Sequence, residues 1–347
     1  MHTLSTLGLC FVLAAASLPA QPRSAQSKNL DIYWIDTEGG GATLMVTPSG
    51  QVLLVDTGNP GPNDRDPKRI FEAARAIGLR KIDMLLTTHY HGDHVGGAPA
   101  LSKLIPIEKF YDHGDSIEAA NSPQTAKLWD DYKAISEGKR TIVKPGDKIP
   151  LKGMDVTVVS ANGEVIAKPI NGGGPNEFCK DAKQHDTDKT ENGRSAGFLL
   201  TYGRFKFLDV GDLTWDREMM LACPANKVGT VTLFQATHHG FVNGQSGAPA
   251  LIWAIKPQVV VVNDGPRKGL EGDAWDTISK ISGLEGTWQI HRALKNDVAH
   301  NTADAQTANF EETADCKGLW IKASISKDGK FTITNSRNNF SKSYAAR

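Results

Sequence analysis

Four residues with metal-binding side chains lie within six positions in the segment THYHGDH. They are His89, His91, Asp93 and His94, and the segment directly follows the apolar run MLL. A loop that leaves a strand can turn all four side chains toward one point. Imidazole nitrogens with a carboxylate suit Zn²⁺, and Mn²⁺ or Fe²⁺ where oxygen ligands increase. The segment therefore predicts a metal site rather than a histidine-rich surface loop.

The spacing of these residues favours two ions over one. His89 and His91 can share one ion while Asp93 and His94 turn toward a second, and the ions of such pairs lie roughly 3.5–4 Å apart. A water shared by two divalent ions loses a proton near neutral pH. We therefore expect a metal-bound hydroxide as nucleophile, with Asp93 both binding metal and orienting it.

The surrounding pattern places THYHGDH at the edge of a sheet. Apolar or alternating segments between residues 30 and 55 indicate strands, and Asp66 and Pro67 supply the N-cap and first position of a helix that Gly78 ends. The strand KIDMLLTTH follows. This β-β-β-α-β order puts the histidines at the carboxyl end of a strand, where α/β proteins place their sites.

The second half of the chain repeats this organisation in kind. SAGFLLTYG and RFKFLDVGD indicate a hairpin, VGTVTLFQATHHG a strand that ends in histidines, and PQVVVVNDG a further strand. We expect an insertion near residues 114–193, whose part 163–193 is a lid or a mobile loop. A C-terminal hairpin is predicted about Asp328 and Gly329.

The N-terminal residues have the pattern of an exported protein. Residues 1–20 contain an apolar core followed by small residues, which predicts a signal peptide, although no Lys or Arg precedes the core. A buried helix or a membrane anchor is the alternative. Residues 21–29 read as a linker and residues 30–347 as one catalytic domain. The expected location is periplasmic or secreted, with no membrane segment once the signal is removed.

Composition limits the partners. Lys plus Arg equals Asp plus Glu at 39 each, so net charge does not support nucleic-acid binding, and a small-molecule substrate is favoured. Cys179, Cys223 and Cys316 remain after the predicted signal, which permits one disulfide and one free thiol with the pairing left open. The sequence indicates no particular oligomeric state.

Several motifs in this order resemble those of the metallo-β-lactamase superfamily. THYHGDH is similar to its HxHxDH signature, LLVDTG to its upstream Asp-containing turn, FLDVGD to its ion-bridging Asp motif, and ATHHG to its late His motif. The resemblance spans residues 31 to 264. It implies an α/β fold, namely an αββα sandwich of two mixed β-sheets flanked by helices, and hydrolysis that depends on two Zn²⁺ ions.

The resemblance also implies a role for each matched residue. The implied metal ligands are His89, His91, Asp93, His94, Asp212 and His239. One of His238 and His239 is expected to bind metal, and the His-Gly pairing favours His239. His238, Asn192 and Ser195 are candidates to protonate the leaving group. Asp93, Asn192 and His238 are thus the catalytic candidates, while Asp56 and Ser195 support the ligands, Asp56 by bonding the backbone of the metal loop.

The third motif departs from the family. A His normally completes the first metal site there, but this chain has ENGRS from Glu191 to Ser195, and His185 is the nearby histidine that could substitute. An Asn and Ser pair before a hairpin is similar to the hydrolase domain of bacterial competence DNA-channel proteins. That similarity slightly favours phosphoester or phosphodiester substrates. The alternatives are a lactone, ester, amide or isothiocyanate, or a non-catalytic periplasmic metal-binding protein.

Overall fold

The computed structural model describes residues 28–312 and 316–347. The predicted signal peptide, residues 1–20, and most of the predicted linker lie outside these residues. The described strands, numbered in chain order, are β1 Leu30–Ile35, β2 Thr43–Val46, β3 Val52–Val55, β4 Ile82–Leu86, β5 Ile107–Asp112, β6 Arg140–Ile142, β7 Asp155–Ala161, β8 Glu164–Val165, β9 Gly174–Pro175, β10 Gly197–Tyr202, β11 Phe205–Asp209, β12 Ala225–Asn226, β13 Leu233–Gln235, β14 Val259–Val262, β15 Gly286–His291, β16 Thr307–Asn309, β17 Trp320–Ile325, β18 Lys330–Asn335 and β19 Ser341–Ala345.

The α-helices, like the strands, occur in both halves of the chain. They are α1 Arg65–Ala76, α2 Gly92–Val95, α3 Ala98–Leu104, α4 Pro123–Ser136, α5 Trp215–Ala222, α6 His238–Phe241, α7 Pro249–Ile255 and α8 Gly272–Ser279. Among the residues that the structure describes, no helix is both long and apolar enough to cross a membrane.

Two large mixed sheets account for most of the strands. One has nine strands in the order β19-β18-β17-β1-β2-β3-β4-β5-β6, and the other has eight in the order β16-β15-β14-β13-β11-β10-β7-β8. Strands β3, β4 and β5 are parallel in the first sheet, as are β11, β13, β14 and β15 in the second. At the C-terminal end, β17 and β18 pair as a hairpin around Asp328 and Gly329.

The two sheets pack face to face, with helices outside. In β14, Val259 and Val261 lie in the core between the sheets, whereas Val260 and Val262 lie among helices α5, α7 and α8. Successive side chains of a strand point to opposite faces, so a strand covered on both faces is apolar throughout. Helices α1, α3 and α4 cover the outer face of the first sheet. The predicted αββα sandwich is confirmed.

The predicted start of helix α1 is wrong by two residues. The helix begins at Arg65, and its N-cap is Asp64 rather than Asp66. Asp66 lies in the first turn, where its carboxylate accepts hydrogen bonds from the Asn59 backbone N (2.9 Å) and from Arg65 Nε (2.6 Å). Its side chain fastens the loop that follows β3 instead of capping the helix. The end at Gly78 is as predicted, because Gly78 adopts a positive φ of 81°.

The glycine- and asparagine-rich stretch 163–193 is anchored to the second sheet's helices. Asn176 Nδ2 donates to the carbonyl oxygens of Ala222 and Ala250, both at 2.9 Å. Cys179 forms a disulfide with Cys223 at the end of α5. These bonds hold the middle of the stretch against α5 and α7, so this part is not a free loop.

Removing the disulfide should destabilise the fold. The bond joins cysteines 44 positions apart. Closing a loop of that size lowers the entropy of the unfolded chain and so raises its free energy by about 4 kcal/mol. We expect Cys179→Ser/Cys223→Ser to lower the free energy of unfolding by about 2–4 kcal/mol in urea titrations. Reduced wild-type protein should match the variant. Equal stability of the variant and oxidised wild-type protein would contradict this expectation.

Candidate metal centre

The histidines and aspartates of the candidate centre all follow strands at one edge of the sandwich. THYHGDH follows β4, Asp56 follows β3, Asp212 follows β11, and the His238–His239 pair follows β13. Because parallel strands end at the same edge of a sheet, packing the two sheets together brings these loops to one place. The predicted position of the site at the carboxyl ends of strands matches the structure.

Four side chains form one tight donor group. Asp93, His94, Asp212 and His239 each offer an atom within 4.8 Å of the other three. Asp212 Oδ2 lies 3.2 Å from His94 Nε2 and 3.3 Å from His239 Nε2, and the two imidazole nitrogens are 3.2 Å apart. Ligands about 2.0–2.1 Å from a tetrahedral ion lie about 3.3 Å from one another. The distances from each carboxylate to the two imidazoles therefore match those between ligands of a Zn²⁺-sized ion, and Asp93 Oδ2 also contacts Lys268 Nζ.

The other two histidines of the segment form a less complete set. His89 Nε2 lies 3.2 Å from His91 Nδ1 and 3.9 Å from Asp212 Oδ2. His89 thus approaches Asp212 of the tight group, but neither His89 nor His91 belongs to that group. The opposite nitrogen of His91 lies 3.3 Å from Glu118 Oε2, which orients that ring. A first metal site here would have two imidazoles and one shared carboxylate from these residues.

The third-motif residues lie beside this centre without adding a nitrogen donor. Asn192 is buried, and among the described residues its Oδ1 has no hydrogen-bond partner. Ser195 Oγ accepts a hydrogen bond from the Asp212 backbone N (3.3 Å), so it supports the turn that carries Asp212. His185 is not in the donor group. Its ring stacks on Trp215 at 4.2 Å, and substitution for the missing His is therefore unsupported.

Asp56 connects the backbone and side chains of the metal loop. Its carboxylate accepts hydrogen bonds from Thr88 N (2.8 Å) and Thr88 Oγ1 (2.7 Å), and its Oδ2 lies 2.7 Å from His94 Nδ1. A carboxylate on one imidazole nitrogen fixes the tautomer and directs the other nitrogen toward the metal. Asp56 thus bonds the backbone of the metal loop, as the resemblance implied, and also orients His94.

The His238–His239 turn presents two imidazoles from adjacent positions. Both residues have a left-handed backbone, with φ values of 51° and 57°. His239 is in the donor group, and its Nδ1 lies 3.3 Å from the Asn263 carbonyl oxygen. His238 Nε2 lies 3.4 Å from Asp212 Oδ2, and its Nδ1 contacts Ser246 Oγ at 3.3 Å. The geometry thus places His239, which the His-Gly pairing favoured, in the donor group and leaves His238 beside it.

Burial and neighbouring charges set the protonation states. Burial, followed by repulsion from His94, lowers the pKa of His89 well below its ordinary value, which leaves the neutral form that binds metal. Burial also lowers the pKa of His238 to about 4, although Asp212 opposes this. For Asp212 itself, burial raises the pKa, but the imidazoles of His239, His94 and His238 outweigh burial and hold it well below its usual range.

Lys268 is a site residue that the sequence interpretation missed. Its Nζ contacts Asp93 Oδ2, and its side chain is 35% exposed, so the ammonium group borders both the donor group and solvent. The residue lies in the loop NDGPRKG after β14. The available signal was its place in a strand-end loop at the same edge as the histidines. Tyr90, in contrast, is fully buried and donates to the Gly114 carbonyl oxygen (2.6 Å), which is a packing role.

Part of the chain is similar to a known protein family. A family model described as the metallo-beta-lactamase superfamily matches residues 36–175. These residues are similar to that superfamily. The match includes Asp56 and the whole THYHGDH segment, while Asp212 and His239 lie beyond it.

Two curated relatives carry the name UPF0173 metal-dependent hydrolase. The one from Cupriavidus taiwanensis is 34% identical over 116 residues, which are 30% of this chain and 37% of the relative. The one from Anaeromyxobacter sp. (strain K) is 33% identical over 144 residues, which are 41% and 45% of the two chains. The chain thus spans less than half the length of these relatives. Neither is named as a competence DNA-channel protein, so the comparisons support the superfamily and not that narrower resemblance.

Solved structures show only distant similarity. Igni18, a metallo hydrolase from Ignicoccus hospitalis, aligns with a TM-score of 0.40 and 13% identity over 74% of this chain and 94% of that one. CmlA, a diiron beta-hydroxylase from Streptomyces venezuelae, aligns with the same TM-score and identity over 74% of this chain and 47% of that one. At this distance neither protein assigns an activity to this chain.

Replacing Asp56 should weaken metal binding. Asn cannot accept hydrogen bonds at both carboxylate oxygens from Thr88 and also hold His94 Nδ1. We expect Asp56→Asn to raise the dissociation constant for Zn²⁺ by about 10–100-fold, measured by competition with a chromogenic chelator. Asp131→Asn makes the same charge change on the exposed surface of α4 and should bind as wild type does. Equal affinities for the two variants would contradict the role given to Asp56.

The two donor sets should hold metal with different strength. The tight group has four donors, whereas the His89 set has two imidazoles and shares its carboxylate. Under mild chelation we expect His239→Ala to contain about one ion per chain less than wild type. His89→Ala should contain as much metal as wild type, because mild chelation already strips the weaker His89 site from the wild-type protein. At a chelator concentration too low to strip that site, His89→Ala should contain less metal than wild type. Elemental analysis of dialysed samples measures this, and the reverse order of loss would refute it.

Proposed function

We propose that this protein is a metal-dependent hydrolase whose centre lies between the two sheets at the carboxyl ends of their strands. The observation that carries the proposal is the spacing of Asp93, His94, Asp212 and His239, whose donor atoms lie about as far apart as the ligands of one tetrahedral ion. The printed name of the curated relatives, metal-dependent hydrolase, supports the same activity.

The proposed centre is dinuclear, with zinc as the first candidate and Mn²⁺ or Fe²⁺ as alternatives. The tight group would hold one ion, and His89 and His91 would hold the other with Asp212 shared between them. When bound, the ions supply Lewis-acid polarisation of the bond under attack and activation of water. The Asp212 carboxylate suits the shared position because its Oδ2 is near imidazoles of both sets.

Other side chains would bind and orient the substrate. The neutral imidazole of His238 borders Asp212 and is positioned to pass a proton at Nε2. The buried Asn192 Oδ1, which lacks a partner among the described residues, can accept a hydrogen bond from the substrate. Asp56 keeps His94 in one tautomer, and Ser195 keeps the Asp212 turn in place. These assignments give Asn192 and His238 their catalytic roles in the proposal, and Asp93 takes part as a ligand of the tight group.

We favour a small phosphoester or phosphodiester as substrate. Lys268 places an ammonium group at the margin of the donor group, where it can contact an anionic substrate oxygen. The equal numbers of acidic and basic residues argue against a long nucleic acid.

A second candidate follows from the contact between Lys268 and Asp93. If Asp93 retains this ammonium group, Lys268 does not bind substrate, and a neutral lactone, ester, amide or isothiocyanate becomes the better substrate. A non-catalytic metal-binding role is the third candidate, because ENGRS stands where the family has its third-motif His.

We also propose that the protein is exported, which the Cys179–Cys223 disulfide supports, since such bonds persist in oxidising compartments.

A chelator and two chromogenic substrates test the activity. We expect bis(4-nitrophenyl) phosphate to be hydrolysed faster than 4-nitrophenyl acetate, and the reaction to stop after metal removal and return with added Zn²⁺. Turnover that persists after metal removal would exclude the proposed centre. Normal metal content without turnover of either substrate would favour the third candidate, a non-catalytic metal-binding protein.

Replacing Lys268 tests the substrate class. We expect Lys268→Met to lower kcat/KM for the phosphodiester by about 10–100-fold, because a charge-assisted hydrogen bond of about 1.5–3 kcal/mol is lost. The value for the neutral ester should change less than about threefold, and Lys268→Arg should restore part of the phosphodiester activity. Lys295→Met, in a nearby exposed ion pair with Glu271, is the matched control. An equal loss for both substrates would indicate that Lys268 acts only through Asp93.

A further inference from the structure

A second group of metal-binding side chains lies outside the proposed hydrolytic centre. Asp36 follows β1 in the first sheet, His291 ends β15 in the second sheet, and Cys316 precedes β17. One donor atom of each residue lies within 4.8 Å of the other two. Asp36 and His291 are fully buried, and Cys316 is half-buried. A carboxylate, an imidazole and a thiol together are typical zinc ligands.

We propose that Asp36, His291 and Cys316 form a separate zinc-type site that joins the two sheets near the hydrolytic centre. The proposal is independent of the proposed hydrolysis, because it uses none of the same side chains.

The surroundings of His291 favour a ligand role. Its Nδ1 lies 3.1 Å from the Arg292 carbonyl oxygen and its Nε2 lies 3.2 Å from the Glu311 carbonyl oxygen. A neutral imidazole carries one N–H, so it can donate to only one of these oxygens. The second nitrogen then faces a carbonyl oxygen without a proton to share. A small shift of the ring toward Asp36 and Cys316 would relieve that contact and let the nitrogen bind a cation. Metal-binding histidines commonly donate the other N–H to a backbone carbonyl, as either oxygen allows here.

The surroundings of Cys316 complete the set. Its sulfur lies 3.5 Å from Asp36 Oδ2 and 3.9 Å from Asn309 Oδ1. Within the described residues, Cys179 and Cys223 pair with each other, so Cys316 has no disulfide partner there. On binding a divalent ion, the thiol would release its proton to solvent, and the thiolate sulfur would form the bond to the metal.

Charge balance also favours a divalent ion. Arg69 lies 3.4 Å from Asp36 Oδ2, and it also pairs with Glu38 at 3.1 Å and donates to the Cys316 carbonyl oxygen at 2.7 Å. The charges of Arg65 and Arg69 are offset by those of Glu38 and Asp66, with which they pair. The Asp36 carboxylate and a Cys316 thiolate would then leave two negative charges in a buried space, which one divalent cation neutralises.

The site would also restrain the hydrolytic centre. The segment after Asp36 leads to Gly41, whose backbone N donates to the Asp93 carbonyl oxygen (2.9 Å). Fixing Asp36 between the two sheets would limit the movement of this segment and of the Asp93 backbone that it supports.

Cobalt substitution tests the site directly. Metal-free protein with its disulfide intact is titrated with Co²⁺, and near-ultraviolet absorption is recorded, because only a thiolate bound to Co²⁺ gives an intense sulfur-to-metal charge-transfer band. We expect the band in wild-type protein and in His239→Ala, and its loss in Cys316→Ser. Asp36→Asn and His291→Gln should weaken cobalt binding at this band by about tenfold or more. Zn²⁺ should protect Cys316 from alkylation.

Failure of this proposal is distinguishable from failure of the hydrolase. The donors of the hydrolytic centre include no sulfur, so the absence of a charge-transfer band in wild-type protein would overturn the thiolate site whatever the enzyme activity. A band that persists in Cys316→Ser, or unchanged cobalt affinity in both Asp36→Asn and His291→Gln, would also overturn it. The wild-type spectrum decides the matter even if a variant fails to fold.

Discussion

The central constraint on this structure is the burial of like charges at one edge of the sandwich. Asp93 and Asp212 approach the same two imidazoles, and each carboxylate needs a positive partner because burial alone disfavours its charged form. Imidazoles supply part of that compensation, and a divalent cation fits the same position. The loops around the centre can therefore be understood as devices that hold these groups together against their desolvation cost.

Those loops depend on supports that do not themselves bind metal. Asp56 bonds Thr88 and His94, so a residue after β3 determines how the loop after β4 is arranged. Ser195 bonds the Asp212 backbone, so the altered third motif keeps a structural function even where it lacks the family's His. The centre thus depends on contacts between consecutive strand ends more than on any single loop.

The proposed zinc-type site adds a second connection between the sheets at this edge. Asp36 and His291 come from different sheets, and Cys316 lies just before β17 in the first sheet. The Asp36 segment leads toward the backbone of Asp93. Stability of the sandwich and geometry of the proposed hydrolytic centre would then depend on neighbouring residues.

Much of the architecture followed from local patterns. Apolar strands, the Gly78 helix end and the clustered histidines predicted two halves of strands and helices and the sheet edge at which the candidate site lies, while the motif resemblance implied the sandwich. The predicted N-cap of α1 was wrong because Asp66 bonds the backbone of Asn59 in the preceding loop, a contact that no local pattern identifies. Lys268 was missed because its contact with Asp93 joins residues 175 positions apart. Patterns in a single sequence indicate the hydrophobic period of an element and the residues that form turns. They do not identify contacts between residues far apart in the chain.

The sequence by itself determined the kinds of donor atom and their order along the chain, because residue type and spacing are local properties. Only the tertiary structure decided which donors lie close enough together to share one ion. It grouped His239 rather than His238 with Asp93, His94 and Asp212, separated His89 and His91 from them, and brought Asp36, His291 and Cys316 together. The physical reason is that these groupings depend on how two twisted sheets pack, and packing distances are set by side chains from the whole core.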